Sequence, residues 1–130
     1  MISSILSILI SANIHNPQVL AYSIANVSNQ ERVDPITLTK MVIVESKGNP
    51  LAVNSRTEDY GILQIHLKAH PEIGFMCAMT QDCGLKAGAK ILKTLSRPCE
   101  YNLGKRGAMN NVKKCLQYES NLDKLTKEDK

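Results

Sequence analysis

The stretch VIVESKGNP, residues 42–50, places a single carboxylate, Glu45, in the last turn of a helix that is otherwise apolar. Three apolar residues precede it at positions i, i+3 and i+4, with Glu45 itself at i+7; they are Leu38, Met41 and Val42. Positions at these intervals share one face of an α-helix, the face that packs on a core. The spacing therefore predicts that the Glu45 carboxylate points inward.

An inward carboxylate at the end of a helix has unusual acid–base properties. Burial disfavours the charged form, and so does the partial negative charge at the C-terminal end of a helix. Both effects raise the pKa of Glu45 toward neutral pH, and a carboxyl group that stays protonated there can act as a general acid. In the alternative interpretation, Glu45 turns toward solvent as the helix frays, or pairs with Lys47 or a distant Arg.

The sequence around this helix predicts an all-α, or mainly α-helical, fold in one domain over residues 1–130. Asn16–Pro17 and Asp34–Pro35 each resemble a helix start, because Asn and Asp are good N-caps and Pro fits the first helical position. The second helix is expected to run to about Lys47 and to stop at Gly48. Three further helices are predicted: one from Gly61 to just before Pro71, one marked by Leu85, Gly88, Leu92 and Leu95 and closed by Pro98, and one marked by Met109, Val112, Leu116 and Leu122.

Extended structure is expected only in the loop near residues 53–60, because no alternating run is long enough for a sheet. Residues 1–14 are either an extra N-terminal helix or a weak signal-like segment, which is apolar but has no Lys or Arg before Arg32. Residues 123–130 are expected to form a charged, solvated tail. No apolar run approaches the roughly 20 residues of a membrane span.

Four cysteines lie in the second half of the chain: Cys77, Cys83, Cys99 and Cys115. Their number permits two disulfides, in any of three connectivities, or four reduced thiols in the core. A metal site that combined Cys77 and Cys83 with His66 and His70 would match no compact zinc pattern. Neither a metal nor another cofactor is therefore expected.

The net charge of +4 comes from scattered Lys and Arg residues. Such mild basicity fits a polyanionic partner of any kind, from nucleic acid to cell-wall polymer. A nucleic-acid partner is not expected, since the sequence has no basic stripe and no recognition motif.

Three motifs carry a resemblance to a known family. ESKGNPLAVNSRTEDYGILQIH, residues 45–66, resembles the catalytic segment of soluble lytic transglycosylases, which has a Glu-Ser pair, then Asn-Pro-x-Ala, then a Gly-hydrophobic-hydrophobic-Gln-Ile run. KAGAKIL, residues 86–92, is similar to the A-G-A-x-x-L signature of that family, and EYNLG, residues 100–104, to its Tyr-Asn-x-Gly motif. The motifs occur in the family order.

The resemblance implies the α-helical lysozyme-like fold shared with goose-type lysozymes and, as substrate, the glycan strands of peptidoglycan. It implies that Glu45 protonates the glycosidic oxygen between N-acetylmuramic acid and N-acetylglucosamine. Glu45 would then deprotonate the C6 hydroxyl of the muramoyl residue, which closes a 1,6-anhydro ring. This mechanism needs one enzyme carboxylate, whereas ordinary glycosidases use two.

The remaining site residues follow from the same motifs. Substrate-binding roles are implied for Ser46, Tyr60, Gly61, Gln64, Tyr101 and Asn102. Asp59 is a candidate second carboxylate that could activate water, or else the N-cap of the helix expected from Gly61. The tyrosine that many relatives have in the last helix is replaced by Asn111, which leaves one wall of the cleft unassigned.

A domain of this size resembles the small family members that serve secretion or pilus assembly, or those that bacteriophages use to pass the cell wall. The expected place of action is the bacterial cell wall or periplasm, reached by export or carried in a virion. Two alternatives stay open: a lysozyme of the same fold that cleaves the bond with water, and an inactive peptidoglycan-binding or virion structural protein.

Overall fold

The computed structural model describes residues 1–127, which form seven helices and one small antiparallel sheet. The helices are α1 (Ile2–Ser11), α2 (Pro17–Glu31), α3 (Pro35–Ser46), α4 (Phe75–Ala78), α5 (Gln81–Leu92), α6 (Cys99–Asn110) and α7 (Val112–Lys127). The strands are β1 (Val53–Asn54), β2 (Asp59–Tyr60) and β3 (Ile65–His66), in the spatial order β1-β2-β3. The predicted mainly α-helical fold is confirmed.

Helix α3 lies at the centre of the molecule and contacts α1, α2 and α7. Its Leu38, Met41 and Val42 are completely buried, as the apolar spacing predicted. Helix α1 contributes Ile5 and Leu9 to the same core, and both side chains are inaccessible to solvent. None of the helices within residues 1–127 combines the length and apolar character that a membrane crossing requires.

The ends of α3 agree with the sequence signals. Asp34 is its N-cap, and the carboxylate accepts a hydrogen bond of 2.8 Å from the backbone N–H of Thr37. At the other end Lys47 and Gly48 have positive φ values of 54° and 78°, which stops the helix directly after Ser46. The start of α2 is also at the predicted place, but its N-cap Asn16 has a left-handed backbone and makes no side-chain capping bond.

The helix predicted from Gly61 to Pro71 is wrong. Strands β2 and β3 flank a tight turn there, with Tyr60 paired to Ile65. Gly61 has a φ of +86°, and a Cβ atom at this position would lie 1.7 Å from the carbonyl oxygen of Ala78. Backbone that approaches a neighbouring segment so closely, at positive φ, cannot continue as a helix. The turn, not helical periodicity, buries the apolar residues between the strands.

The last predicted helix is also corrected, since α6 and α7 are separate helices that meet at Asn111. Three residues of the expected apolar stripe are exposed, namely Met109, Val112 and Leu116. The buried face of α7 instead carries Cys115, Tyr118 and Leu122, at intervals of three and four residues. Helix α7 continues to Lys127, so residues 123–127 of the expected charged tail are helical, and residues 128–130 lie outside the described part.

Two disulfides tie neighbouring helices together. Cys77–Cys83 joins α4 to α5, and Cys99–Cys115 joins the start of α6 to α7. The sequence left both the redox state and the pairing open. The second bond is buried in the core and lies one helical turn from Tyr118.

Candidate active site

The Glu45 side chain is largely buried at the C-terminal end of α3, where the helix reaches a surface cleft. The hydroxyl of Tyr118, on α7, donates a hydrogen bond of 2.7 Å to its Oε2 atom. Helices that are far apart in the chain therefore fix the position of one carboxyl group.

This environment raises the pKa of Glu45 from 4.5 to about 7. Burial is the largest cause, because it removes water from the charged form. The hydrogen bond from Tyr118 lowers the pKa by stabilising the carboxylate, and the negative charge of Asp59 raises it. The carboxyl group is thus protonated in a substantial fraction of molecules at neutral pH, which suits a general acid.

The cleft at Glu45 has a volume of about 430 Å³. One wall is the sheet, with Asp59, Gln64 and His66, and the opposite wall is the first half of α6, around Tyr101 and residues 102–105. The end of α5 and the segment that follows it close the cleft near residues 91–95. A cleft with polar walls and one protonated carboxyl group can bind a sugar chain and protonate an oxygen within it.

Asp59 is a second carboxylate in the same cleft. It accepts a hydrogen bond of 2.6 Å from the Thr57 hydroxyl and lies 3.0 Å from Nδ1 of His66 on the adjacent strand. The interpretation of Asp59 as a helix N-cap is wrong, because it belongs to strand β2 and no helix begins at Gly61. Its charge acts on Glu45 through space.

Tyr101 lines the cleft, but its hydroxyl donates to the carbonyl oxygen of Leu63 at 2.7 Å. Burial, together with the negative charges of Glu45 and Asp59, holds the pKa of this phenol well above its usual value. Gly88 of the A-G-A signature makes room for this arrangement, since a Cβ there would lie 2.4 Å from Leu63 and 3.0 Å from the Tyr101 hydroxyl. Tyr101 is therefore a neutral part of the cleft wall.

Sequence reasoning missed Tyr118 as the partner of the acid. The resemblance places the family's last-helix tyrosine at position 111, which Asn occupies. The tyrosine that contacts Glu45 is instead Tyr118, two turns further along α7. The available signal was the spacing of Tyr118 from Cys115 and Leu122, which places it on a buried helix face.

Comparison with known protein families shows which family the chain belongs to. A family model described as "Transglycosylase SLT domain" matches residues 22–120, from α2 to α7, a range that includes Glu45 and Tyr118. The chain belongs to this family. Neither a curated protein nor a solved structure matches the chain. Membership indicates activity of the lytic-transglycosylase type on peptidoglycan and agrees with the lysozyme-like helical fold.

Among the residues predicted to bind substrate, the SLT domain brings Gln64, Tyr101 and Asn102 to the cleft. Gln64 is not helical; it has a φ of 49° in the turn before β3. Its amide nitrogen donates to the carbonyl oxygens of Ala52 and Gly61, at 3.1 and 2.9 Å. Gln64 therefore holds the sheet turn against the preceding loop, and this positions the cleft wall.

The other three predicted residues do not line the cleft of the SLT domain. Ser46 donates its hydroxyl proton to the carbonyl oxygen of Ile62 at 2.7 Å, which anchors the turn to α3. Tyr60 packs edge-on against Phe75, with ring centroids 5.4 Å apart. Gly61 is buried within the turn between β2 and β3. Their contacts are structural, and they position the residues that do face the cleft.

Within residues 1–127, one group of potential metal ligands lies close together: Cys99, Cys115 and Glu119. The two sulfur atoms form a disulfide, and Glu119 pairs with Arg97. A disulfide offers no thiolate to a metal, so this group is a structural junction between α6 and α7.

Proposed function

We propose that this SLT domain is a lytic transglycosylase that cleaves the β-1,4 bond between N-acetylmuramic acid and N-acetylglucosamine in peptidoglycan. The observation that supports this most is Glu45, a carboxyl group with a pKa of about 7 that faces a cleft and is held by Tyr118. It has the protonation state that cleavage of a glycosidic bond requires at neutral pH.

In the proposed reaction, Glu45 gives its proton to the glycosidic oxygen as the bond to C1 of the muramoyl residue breaks. The Tyr118 hydroxyl bond stabilises the carboxylate that results, and the charge of Asp59 favours the positive charge that develops at C1. The Glu45 carboxylate then takes the proton of the C6 hydroxyl, while the C6 oxygen forms the new bond to C1. The products are a 1,6-anhydromuramoyl end and a free glucosamine hydroxyl, with no water consumed.

Hydrolysis of the same bond is the second candidate, because Asp59 is fixed in the cleft by Thr57 and His66. A carboxylate held in this way could activate a water molecule for attack at C1. In that case the released muramoyl ends would be reducing ends.

Mass spectrometry of the fragments released from purified peptidoglycan distinguishes these reactions. Wild type, Glu45→Gln and Asp59→Asn are compared at about pH 5.5, where Glu45 is protonated in wild type. We expect anhydromuramoyl ends, lighter by one water, from wild type and Asp59→Asn and none from Glu45→Gln. If wild type instead released fragments with reducing ends, and Asp59→Asn did not, the protein would be a hydrolase. Fragments from Glu45→Gln at the wild-type rate, or none from wild type, would contradict the assignment.

The proposed place of action is the bacterial cell wall, which the domain opens locally for a phage or a secretion machine after export or carriage in a virion. Two disulfides support a working environment outside the reducing cytosol, because such bonds persist in oxidising compartments. Thiol titration of protein isolated from its native source, with and without denaturant, tests this point. Four free thiols would contradict it.

A further inference from the structure

A second groove, of about 580 Å³, continues the cleft on the side of α5. The two cavities share three lining residues, His70, Ile91 and Thr94. A substrate seated at Glu45 could therefore extend into the second groove without leaving the surface.

The lining of this groove differs from that of the cleft. Its floor is apolar, with Ile73, Ala87, Ile91 and the Cys77–Cys83 disulfide. Lys86 and Lys90 stand along one edge, four residues apart on α5 and exposed, so their ammonium groups project on the same side of the helix. Within the described chain, neither ammonium group forms an ion pair.

Glu72 adds one carboxylate to the groove, where it lies 3.5 Å from Nδ1 of His70. None of the described lining residues is Tyr, Phe or Trp, the side chains on which sugar rings stack. Two ammonium groups above an apolar floor complement a ligand that carries carboxylates and small aliphatic side chains. A neutral sugar would gain little from them.

We infer that this groove binds the peptide stem that peptidoglycan carries on its muramoyl residues. The stem is a short chain of small aliphatic residues with free carboxylates and one diamino acid. Its carboxylates would pair with Lys86 and Lys90, its methyl groups would lie on Ala87 and Ile73, and a free amine could reach Glu72. The inference rests on the proposed function, because the stem is attached to the glycan bound at Glu45.

The test compares two substrates: uncrosslinked glycan strands with stems, and the same strands after an amidase has removed them. The variant Lys86→Met/Lys90→Met should lose roughly three- to tenfold in kcat/KM on stem-bearing strands, the size expected for two exposed ion pairs. On stem-free strands it should equal wild type. Lys86→Arg/Lys90→Arg should retain most of the stem-dependent rate, since it keeps both charges.

Lys113→Met/Lys114→Met is the matched control, because it removes the same charge from exposed positions on α7 that line neither cavity. An equal loss in this control would mean general attraction to an anionic wall and would overturn the inference. Two other results would also overturn the inference. One is that Lys86→Met/Lys90→Met loses equally in kcat/KM on both substrates, which would indicate a glycan site. The other is that this variant loses no activity on either substrate.

Binding of the same two strand preparations to Glu45→Gln, with and without the paired Lys→Met changes, is measured in parallel. This keeps the groove testable if the reaction itself is not the one proposed. Absence of fragments from wild type would count against the proposed function alone. If Glu45→Gln bound strands with and without stems equally well, the result would contradict a stem-binding role for the groove.

Discussion

Glu45 is controlled at the residue scale by two neighbours that act in opposite directions. Asp59 places a negative charge near it and favours the protonated acid, whereas Tyr118 donates a hydrogen bond and favours the carboxylate. Burial adds to the effect of Asp59 and dominates. The pKa of about 7 is thus a balance that single substitutions can shift either way.

The dependence of activity on pH should report this balance. We expect kcat/KM on glycan strands to be level below about 7 and to fall tenfold per pH unit above it, as Glu45 ionises. Asp59→Asn should move this limb to lower pH, and Tyr118→Phe should move it to higher pH. If the decrease in kcat/KM occurred at the same pH in both variants as in wild type, the assignment of this titration to Glu45 would be contradicted.

The raised pKa of Glu45 should also make the stability of the folded protein depend on pH. The folded pKa of about 7 exceeds the ordinary value of 4.5, so the folded state binds the proton more tightly than the unfolded state. The protein therefore loses stability as pH rises between these values, by on the order of 3 kcal/mol in full. Glu45→Gln keeps a hydrogen-bond acceptor for Tyr118 but carries no charge.

We expect Glu45→Gln to unfold at a higher urea concentration than wild type at about pH 8, and at nearly the same concentration at about pH 4. Glu58→Gln is a suitable control, because Glu58 is partly exposed and its carboxylate pairs with Lys68. Equal stability of wild type and Glu45→Gln at both pH values would contradict the raised pKa.

The inward position of Glu45 was accessible to sequence reasoning because its helix has a clear start, a clear stop and a regular apolar stripe. Tyr118 was not, because its role depends on how α7 packs on α3, at a separation of 73 residues. The contacts of Ser46 with the Ile62 carbonyl and of Tyr60 with Phe75, which keep both side chains out of the cleft lining, were hidden for the same reason. Family motifs locate residues in a sequence, but they do not say whether a side chain faces substrate or supports the backbone.

At the element scale, the segment between α3 and α4 shows where local patterns fail. Helices α2 and α3 were predictable from their Pro starts and apolar spacing, which are local properties. The turn from β2 to β3 depends instead on the contact of Gly61 with the Ala78 carbonyl, which belongs to another element. A short apolar run fits either a helix or a strand pair, and only tertiary packing decides between them.

Two glycines with similar φ values allow the effect of backbone strain to be distinguished from the effect of close packing. Gly61 and Gly74 have φ values of +86° and +79°, but a Cβ at Gly74 would meet nothing within 4 Å. We expect Gly74→Ala to lose about 2 kcal/mol of unfolding free energy from backbone strain alone, because its φ of 79° and ψ of 155° lie in a region that is essentially restricted to glycine. Gly61→Ala should lose at least about 3 kcal/mol, since Ala78 must also move. Urea denaturation measures both, and equal losses would contradict the close approach.

At the scale of the whole molecule, the two disulfides differ in position. One joins α6 to α7 near Tyr118, and the other joins α4 to α5, away from the Glu45–Tyr118 hydrogen bond. Cys99–Cys115 spans 16 residues and fixes α7 beside Tyr118, and Cys77–Cys83 spans 6 residues at the far side of α5. Loop entropy predicts a contribution of roughly 2 to 3 kcal/mol from each.

Both double variants, Cys99→Ala/Cys115→Ala and Cys77→Ala/Cys83→Ala, should therefore be destabilised by comparable amounts. Activity on stem-free glycan strands should separate them: the first should lose at least tenfold in kcat, because α7 no longer holds Tyr118 firmly against Glu45. The second should stay within about twofold of wild type, as it leaves that contact intact. Equal activity of the two would show that the α6–α7 bond has no part in the site.

The hydrogen bond between Tyr118 and Glu45 also sets an order of events during protein synthesis. Glu45 is made before the helix that covers it, because Tyr118 on α7 follows it by 73 residues. Until α7 has folded back onto α3, the carboxyl group lies open to water and ionises as any surface glutamate does. A chain in which α7 has not yet folded onto α3 would thus carry the family motifs around Glu45 without the raised pKa that the folded protein gives this carboxyl group.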